Sequence, residues 1–383
     1  MNYHALKMPA QVYGGQGAAA AVGEIAQGHK KAVLFTDRGI SANGLLQKPL
    51  KQLKRAGVEV ALFDDLPTEP SVYQADEVIR RFRAERPDLI VAVGGGSVMD
   101  VAKLCSVLDT DEYTVFDLLE SPGAARKTVP AVMLPTTAGT GSEATPNSIV
   151  LVPEKELKIG IVNPQMIADY VILDAELLSK LPPKVCAATG VDALAHAIEC
   201  YTSNKATPFS DLYALGALKL IYENLENAYS QPENLAAKQN MLLAAFYGGV
   251  SIAAAGTTAV HALAYPLGGK YHIAHGVSNA MMLTSVMRFN KPYCTDRLAK
   301  VCDALVPQPG LDKNAKADWV LDWLDRIVQQ VHIPTDLKEF GVRPEDLETL
   351  VTLGMDCKRL LNNNCRVVTE ADARKLYADL LLN

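Results

Sequence analysis

Between residues 32 and 173 short apolar, β-branched runs alternate with stretches of helical period, and after Leu181-Pro182-Pro183 the strand-like runs stop. This switch constrains the fold more than any other feature. Alternating strands and helices build a mostly parallel sheet with helices on its faces. The Ala/Leu-rich remainder buries its apolar faces helix against helix. Strands are expected at 32–37, 58–63, 88–93, 131–134, 148–152 and 170–173, and helices over 44–56, 71–85 and 98–108. The boundary is expected near 180–184, and the surface loop most evident beyond it at 307–316.

Composition narrows the function classes. The chain has 383 residues, 49% apolar and 21% charged, as in ordinary globular proteins. A net charge of −6 argues against a nucleic-acid binder, which usually shows a basic stripe. The charge-free run from Gln239 to Gly269 reads as buried helix broken by Gly248-Gly249, not as a membrane span. The N-terminus shows no basic-then-apolar signal peptide. Seven scattered cysteines, none in a Cys-x-x-Cys pair, suit reduced thiols in a cytoplasm.

The strand at 88–93 runs directly into Gly94-Gly95-Gly96-Ser97. Glycines let backbone amides approach a pyrophosphate, and the helix that follows turns its positive end toward it. A second loop of small residues and hydroxyls, Pro135 to Glu143, also follows a strand. Asp37 ends the first strand, where a carboxylate binds ribose hydroxyls and repels a 2′-phosphate; the same residue suits a helix N-cap. Asp100 and Lys103, in the next helix, are candidates to face this site.

The second half carries a different chemistry. Asp192 and His196 stand four apart in a helical run and so share a face. His261 closes another apolar run, and His275-Gly276 follows a turn-like segment. One carboxylate and three imidazoles suit a borderline divalent cation such as Fe²⁺ or Zn²⁺. Singly, each is more ordinary as a surface carboxylate or a core histidine; the four together, downstream of two glycine loops, mark a site. His272 is read as a non-ligand.

These motifs, Gly94-Gly95-Gly96-Ser97-x-x-Asp100, the 135–143 loop, Gly190-x-Asp192-x-x-x-His196-x-x-Glu199 and His261…His275-Gly276, stand in the order found in the iron-containing (group III) alcohol dehydrogenases. The chain resembles that family over roughly residues 8–380. The resemblance implies α/β plus all-α architecture of the dehydroquinate synthase-like kind. A Rossmann-like parallel-sheet domain would span residues 1–182 and an all-helical metal-binding domain 183–383, with a cleft between them for cofactor and metal. It implies Asp192, His196, His261 and His275 as metal ligands. Asp37, Gly94, Gly95, Gly96, Ser97, Thr136, Thr137, Thr140, Thr145 and Lys158 would contact NAD, and Asn147 and Ile252 would face the substrate. It further implies Fe²⁺, with Zn²⁺ or another divalent ion as substitutes, a small alcohol or aldehyde as substrate, and a homodimer or higher homo-oligomer.

Two positions depart from the family pattern. Tyr265 stands where many members carry a proton-passing histidine, four residues after the third ligand. The stretch 250–255, which includes Ile252, is small and aliphatic where diol-active members often have an aromatic residue. The expected activity is NAD-dependent oxidation of an alcohol or reduction of an aldehyde. The alternatives are a zinc-dependent lyase resembling dehydroquinate synthase and a catalytically silent nucleotide-binding protein. The first is disfavoured by the few basic residues in 185–290, and the second by the complete ligand set.

Overall fold

The computed structural model describes residues 4–155, 157–307 and 310–382. The chain divides into two compact units, Lys7–Leu181 and a second made of the chain from Pro182 together with the described residues before Lys7, so the expected 1–182 domain loses its first few residues to the helical unit.

The first unit contains strands β1 (Gln11–Gly14), β2 (Lys31–Phe35), β3 (Glu59–Phe63), β4 (Leu89–Gly94), β5 (Ala131–Pro135), β6 (Asn147–Val152), β7 (Leu157–Val162) and β8 (Tyr170–Leu173). Its helices are α1 (Val22–Ile25), α2 (Arg38–Ala42), α3 (Gln47–Arg55), α4 (Val72–Glu85), α5 (Gly96–Cys105) and α6 (Val115–Glu120). Six strands form one sheet in the order β1-β8-β5-β4-β2-β3, and every neighbouring pair is parallel. All residues of β4 and β5 are buried, as both-face coverage of a parallel sheet requires.

From β2 the chain steps outward to β3, then returns to β4 on the other side of β2 and continues away through β5 and β8. The sheet thus reverses its strand order between β2 and β4. Such switch points open a crevice at the carboxyl ends of the strands, where ligands of open α/β sheets bind. Asp37 lies just beyond the end of β2, and Gly94 ends β4.

Three details differ from the sequence reading. The strand expected at 148–152 forms, but as β6 in a separate antiparallel hairpin with β7. Neither β7 nor β1 was expected: β1 has four residues, three of them exposed, and lacks an apolar signal. The expected helix over 44–56 begins only at Gln47, after the short α2.

The second unit is helical: α7 (Pro183–Thr202), α8 (Pro208–Ser230), α9 (Leu235–Ala255), α10 (Ala259–Tyr271), α11 (His275–Leu305), α12 (Lys313–Gln330), α13 (Leu347–Asp356), α14 (Lys358–Leu361) and α15 (Glu370–Leu382). Helix α7 packs against α8, α9 and α11, and every residue from Gly190 to Thr202 is buried. A helix buried on all sides is a core element, so ionisable groups within it need internal partners.

Gly248 and Gly249 lie inside α9 and do not break it; the break falls at Gly256, with φ 72°. Among the described residues no single helix is long and apolar enough to cross a membrane; α9 and α10 pass that test only together, bent by 108°. The expected loop at 307–316 is shorter than the sequence suggests. Asp312 accepts a hydrogen bond from the Ala315 amide and starts α12 at Lys313, while residues 308 and 309 lie outside the described residues.

Candidate metal centre and nucleotide-binding loops

Helix α7 presents Asp192 and His196 one turn apart, α10 presents His261 in its first turn, and α11 begins with His275. One donor atom from each of these four residues lies within 4.8 Å of the other three. Asp192 Oδ1 is 3.8 Å from His196 Nε2 and 3.6 Å from both His261 Nε2 and His275 Nε2. The His196 and His261 rings stack at 4.6 Å. His275 keeps its side chain 31% exposed while the other three are buried, so the cluster opens on that side.

Three imidazoles around one carboxylate dominate the electrostatics. Burial opposes ionisation of Asp192, but His196, His275 and His261 outweigh it and hold the carboxyl well below its usual range. Burial likewise opposes charge on His261, but Glu199 and Asp192 push it up to about 9. One hard carboxylate oxygen and three imidazole nitrogens, convergent and mostly buried, form a donor set that fits a divalent first-row ion.

Two more buried residues enter this site, and the sequence reading gave neither a role. Asn279 lies four residues after His275 on α11 and donates from Nδ2 to Asp192 Oδ1 at 2.7 Å. The same nitrogen is 3.1 Å from His261 Nε2 and 3.3 Å from His275 Nε2, and Asn279 Oδ1 is buried without a partner. Glu199 lies three residues after His196 and contacts both the ring and the backbone amide of His261. Their helical spacing from His196 and His275 was the available signal. His272 is exposed, caps α10 at φ 55° and stays outside the cluster. Tyr265 continues α10 one turn past His261 despite Pro266, with its ring 5.9 Å from that of His275. Burial holds its phenol well above the ordinary range.

Helix packing here is close. A Cβ built on Gly276 would fall 2.0 Å from the carbonyl oxygen of Ala188, so α11 begins against the bare backbone of α7.

In the first unit, Gly95 is the N-cap of α5, and Gly96 and Ser97 start the helix. A Cβ on Gly96 would lie 2.8 Å from Thr140 Cγ2, so the two loops meet closely there. The Thr136 amide donates to the Gly94 carbonyl at 3.0 Å, which extends the β4–β5 contact into those loops. Thr137 lies near Gly95, 3.6 Å from where a Cβ would stand. Asp37 is half-buried and accepts from the Ile40 amide at 3.0 Å, so it is the N-cap of α2.

Asp100 and Lys103 turn inward. Lys103 is fully buried and donates to the Ser142 carbonyl at 3.0 Å, to Thr145 Oγ1 at 3.2 Å and to the Asn147 carbonyl. Asp100 pairs with it at 2.9 Å and accepts from Ser142 Oγ and the Ile149 amide. The pair pins the second loop to α5, because a buried ammonium needs its donors satisfied. Lys158 on β7 pairs with Glu69 at 2.6 Å, and the Glu69 amide donates to Ser97 Oγ at 3.1 Å. Within the same loop, Glu143 is buried with Oε1 unpartnered. Burial raises its carboxyl from 4.5 to about 7 against the lowering effects of its own backbone amide and Lys103. Ile252 lies half-buried on α9, in the helical unit.

Comparison with known proteins agrees with this chemistry. Residues 9–175 match the family model described as iron-containing alcohol dehydrogenase. Residues 186–381 match that described as the C-terminal part of the Fe-containing alcohol dehydrogenase family. Long-chain-alcohol dehydrogenase 1 of Geobacillus thermodenitrificans is 36% identical over 354 residues, covering 91% of this chain and 89% of that protein. The NAD-dependent methanol dehydrogenase of Bacillus methanolicus is 32% identical over 378 residues, covering 97% and 98%. The crystal structure of a 1,3-propanediol oxidoreductase superposes with a TM-score of 0.93 at 31% identity, covering 99% of this chain and all of that one. None of these matches favours the lyase or the silent nucleotide-binding reading. The chain therefore belongs to the iron-containing alcohol dehydrogenase family, oxidoreductases that interconvert alcohols and their carbonyl products.

Proposed function

We propose that Asp192, His196, His261 and His275 hold one Fe²⁺ and that the first unit binds NAD(H) over Asp37, Gly94–Ser97, Thr136, Thr137 and Thr140. The observation that carries this reading is the convergence of one carboxylate and three imidazoles from three helices within 4.8 Å. When bound, an ion held by these four residues would supply Lewis acidity toward an alcohol or carbonyl oxygen, and NAD(H) would supply the hydride chemistry. The protein's part is positioning: α7, α10 and α11 fix the donors, and His275 leaves the cluster open on one side.

The nucleotide reading rests on the switch point, the free N-terminus of α5 and the close approach of the two loops. The methanol dehydrogenase relative is NAD-dependent by its name, and Asp37 supplies the charge that disfavours a 2′-phosphate. Thr145 and Lys158 support the loops through Lys103 and Glu69, and we assign Asn147 and Ile252 to the substrate side. The relatives' alcohols range from methanol to long chains, so the shared substrate class is a primary alcohol or aldehyde. We place the enzyme in the cytoplasm, on its seven free cysteines, and as a homodimer, on the family resemblance.

The test removes one donor. Wild-type protein reduces short aldehydes with NADH and carries about one metal ion per chain. His261→Ala loses both metal and turnover but still binds NADH, read by elemental analysis and nucleotide fluorescence. A His261→Ala protein with full metal content removes that residue from the set.

A further inference from the structure

Glu199 is a heavily engaged carboxylate of the helical unit. It is fully buried on α7, one turn beyond His196. Its two oxygens do different work. Oε1 accepts from the Thr258 amide at 2.9 Å, the Thr258 hydroxyl at 2.7 Å, the Val260 amide at 2.9 Å and the His261 amide at 3.3 Å. Oε2 faces Nδ1 of the His261 ring.

The first set of contacts replaces an ordinary cap. Leading amides of a helix have no partner within it, and Thr258, the N-cap of α10, makes no capping bond with its own side chain. Its hydroxyl is turned onto Glu199 instead. A carboxylate from α7 thus closes the start of α10, where the helix dipole favours negative charge. The second contact decides the ring. An ionised carboxylate only accepts, so His261 Nδ1 carries the proton and donates. The nitrogen left to face Asp192, His196 and His275 is Nε2, which is 3.6 Å from Asp192 Oδ1.

We propose that Glu199 is a positioning residue: one carboxylate caps α10 and holds the Nδ1–H of His261, so that Nε2 is the nitrogen offered to the metal. The proposal rests on the reading of Asp192, His196, His261 and His275 as the metal site. Because the ring and the backbone of His261 are held by the same group, ring orientation and helix start move together. Histidine ligands commonly donate their second ring nitrogen to a carboxylate, and removing such a partner costs 10–100-fold in metal affinity.

Glu199→Gln separates positioning from bulk. The amide has nearly the same shape but only one acceptor oxygen. If that oxygen serves the α10 amides, the –NH₂ meets the Nδ1–H of His261; if it serves the ring, the –NH₂ meets the helix amides. One side always pairs donor with donor.

The experiment uses the full chain, stripped with a chelator and titrated with Co²⁺, followed by its visible absorption. Glu199→Gln is expected to bind Co²⁺ about 10–100-fold more weakly than wild type. In parallel, ¹⁵N-histidine-labelled wild type loaded with Zn²⁺ is expected to show metal on His261 Nε2 and a slowly exchanging, downfield Nδ1–H. Unchanged Co²⁺ affinity in a folded Glu199→Gln protein overturns the proposal. So does a wild-type His261 that ligates through Nδ1, or whose Nδ1–H exchanges like an exposed one. The wild-type measurement decides the matter even if the variant fails to fold. Wild-type Co²⁺ affinity in His261→Ala, by contrast, would overturn the metal-site reading itself.

Discussion

Glu143→Gln should make the protein more stable at neutral pH. Glu143 is only 2% exposed, and one of its oxygens has no partner. Burial raises its carboxyl from 4.5 to about 7 in the folded chain. A carboxyl raised on folding favours the fold while protonated. Its contribution is full below pH 4.5 and is lost as pH climbs through about 7. Each pH unit of displacement corresponds to ~1.4 kcal/mol, so ionised Glu143 weakens the fold by about 3 kcal/mol at pH 8. Glutamine fills the same space and stays neutral throughout. Urea denaturation of wild type and variant at pH 5, 6, 7 and 8, with fluorescence as the probe, should show a stability gap that widens with pH and levels off near 3 kcal/mol. A gap that stays constant across this range, or a variant less stable at pH 8, refutes the reasoning. Either result would mean that the ionised carboxylate finds compensation inside the loop.

Asp37→Asn keeps an oxygen to cap α2, since asparagine caps as well as aspartate, but removes the charge; kcat/KM for NADP⁺ relative to NAD⁺ should rise by on the order of tenfold. A wild type that already prefers NADP⁺ would contradict the role given to Asp37. Tyr265→Phe should change kcat by less than about threefold and leave its pH profile in place, because burial keeps the phenol from ionising near neutrality. A loss of more than tenfold would make the phenol the proton relay.

Much of this was legible in the chain itself, for identifiable reasons. The runs at 89–94 and 131–135 are continuous and apolar because both sheet faces are covered, and they read as strands at once. The convergence of Asp192, His196, His261 and His275 was legible because Asp192 and His196 share a helical period and histidine is scarce in this chain. What escaped was set by tertiary context. β1 is four residues long and mostly exposed, so only pairing with β8 defines it. Lys103 looked like a site-facing cation, and only the folded loop reveals that its ammonium turns inward onto the Ser142 and Asn147 carbonyls. Gly248-Gly249 looked like a helix break, but glycine is tolerated inside a packed helix. There Gly248 packs beside His196, whose Cβ lies 3.5 Å from where a Cβ on Gly248 would stand, an ordinary contact distance. Glu199 and Asn279 each stand about one turn from His196 and His275, yet their partners are fixed only when α7, α10 and α11 meet.

The contact between Gly276 and the carbonyl of Ala188 has a consequence for how such an enzyme can change over time. Ala188 lies one turn before Asp192, and Gly276 directly follows His275. The spacing between those two donors is therefore gauged by main chain resting on main chain, not by the size of any side chain between them. Substitutions elsewhere in the helical unit, as in the aliphatic stretch 250–255, can change side-chain volume without passing a shift through intervening side chains to the donors. A scaffold gauged in this way can drift from one alcohol to another while its chemistry stays fixed. Relatives named for methanol and for long-chain alcohols, each about a third identical to this chain, fit that expectation.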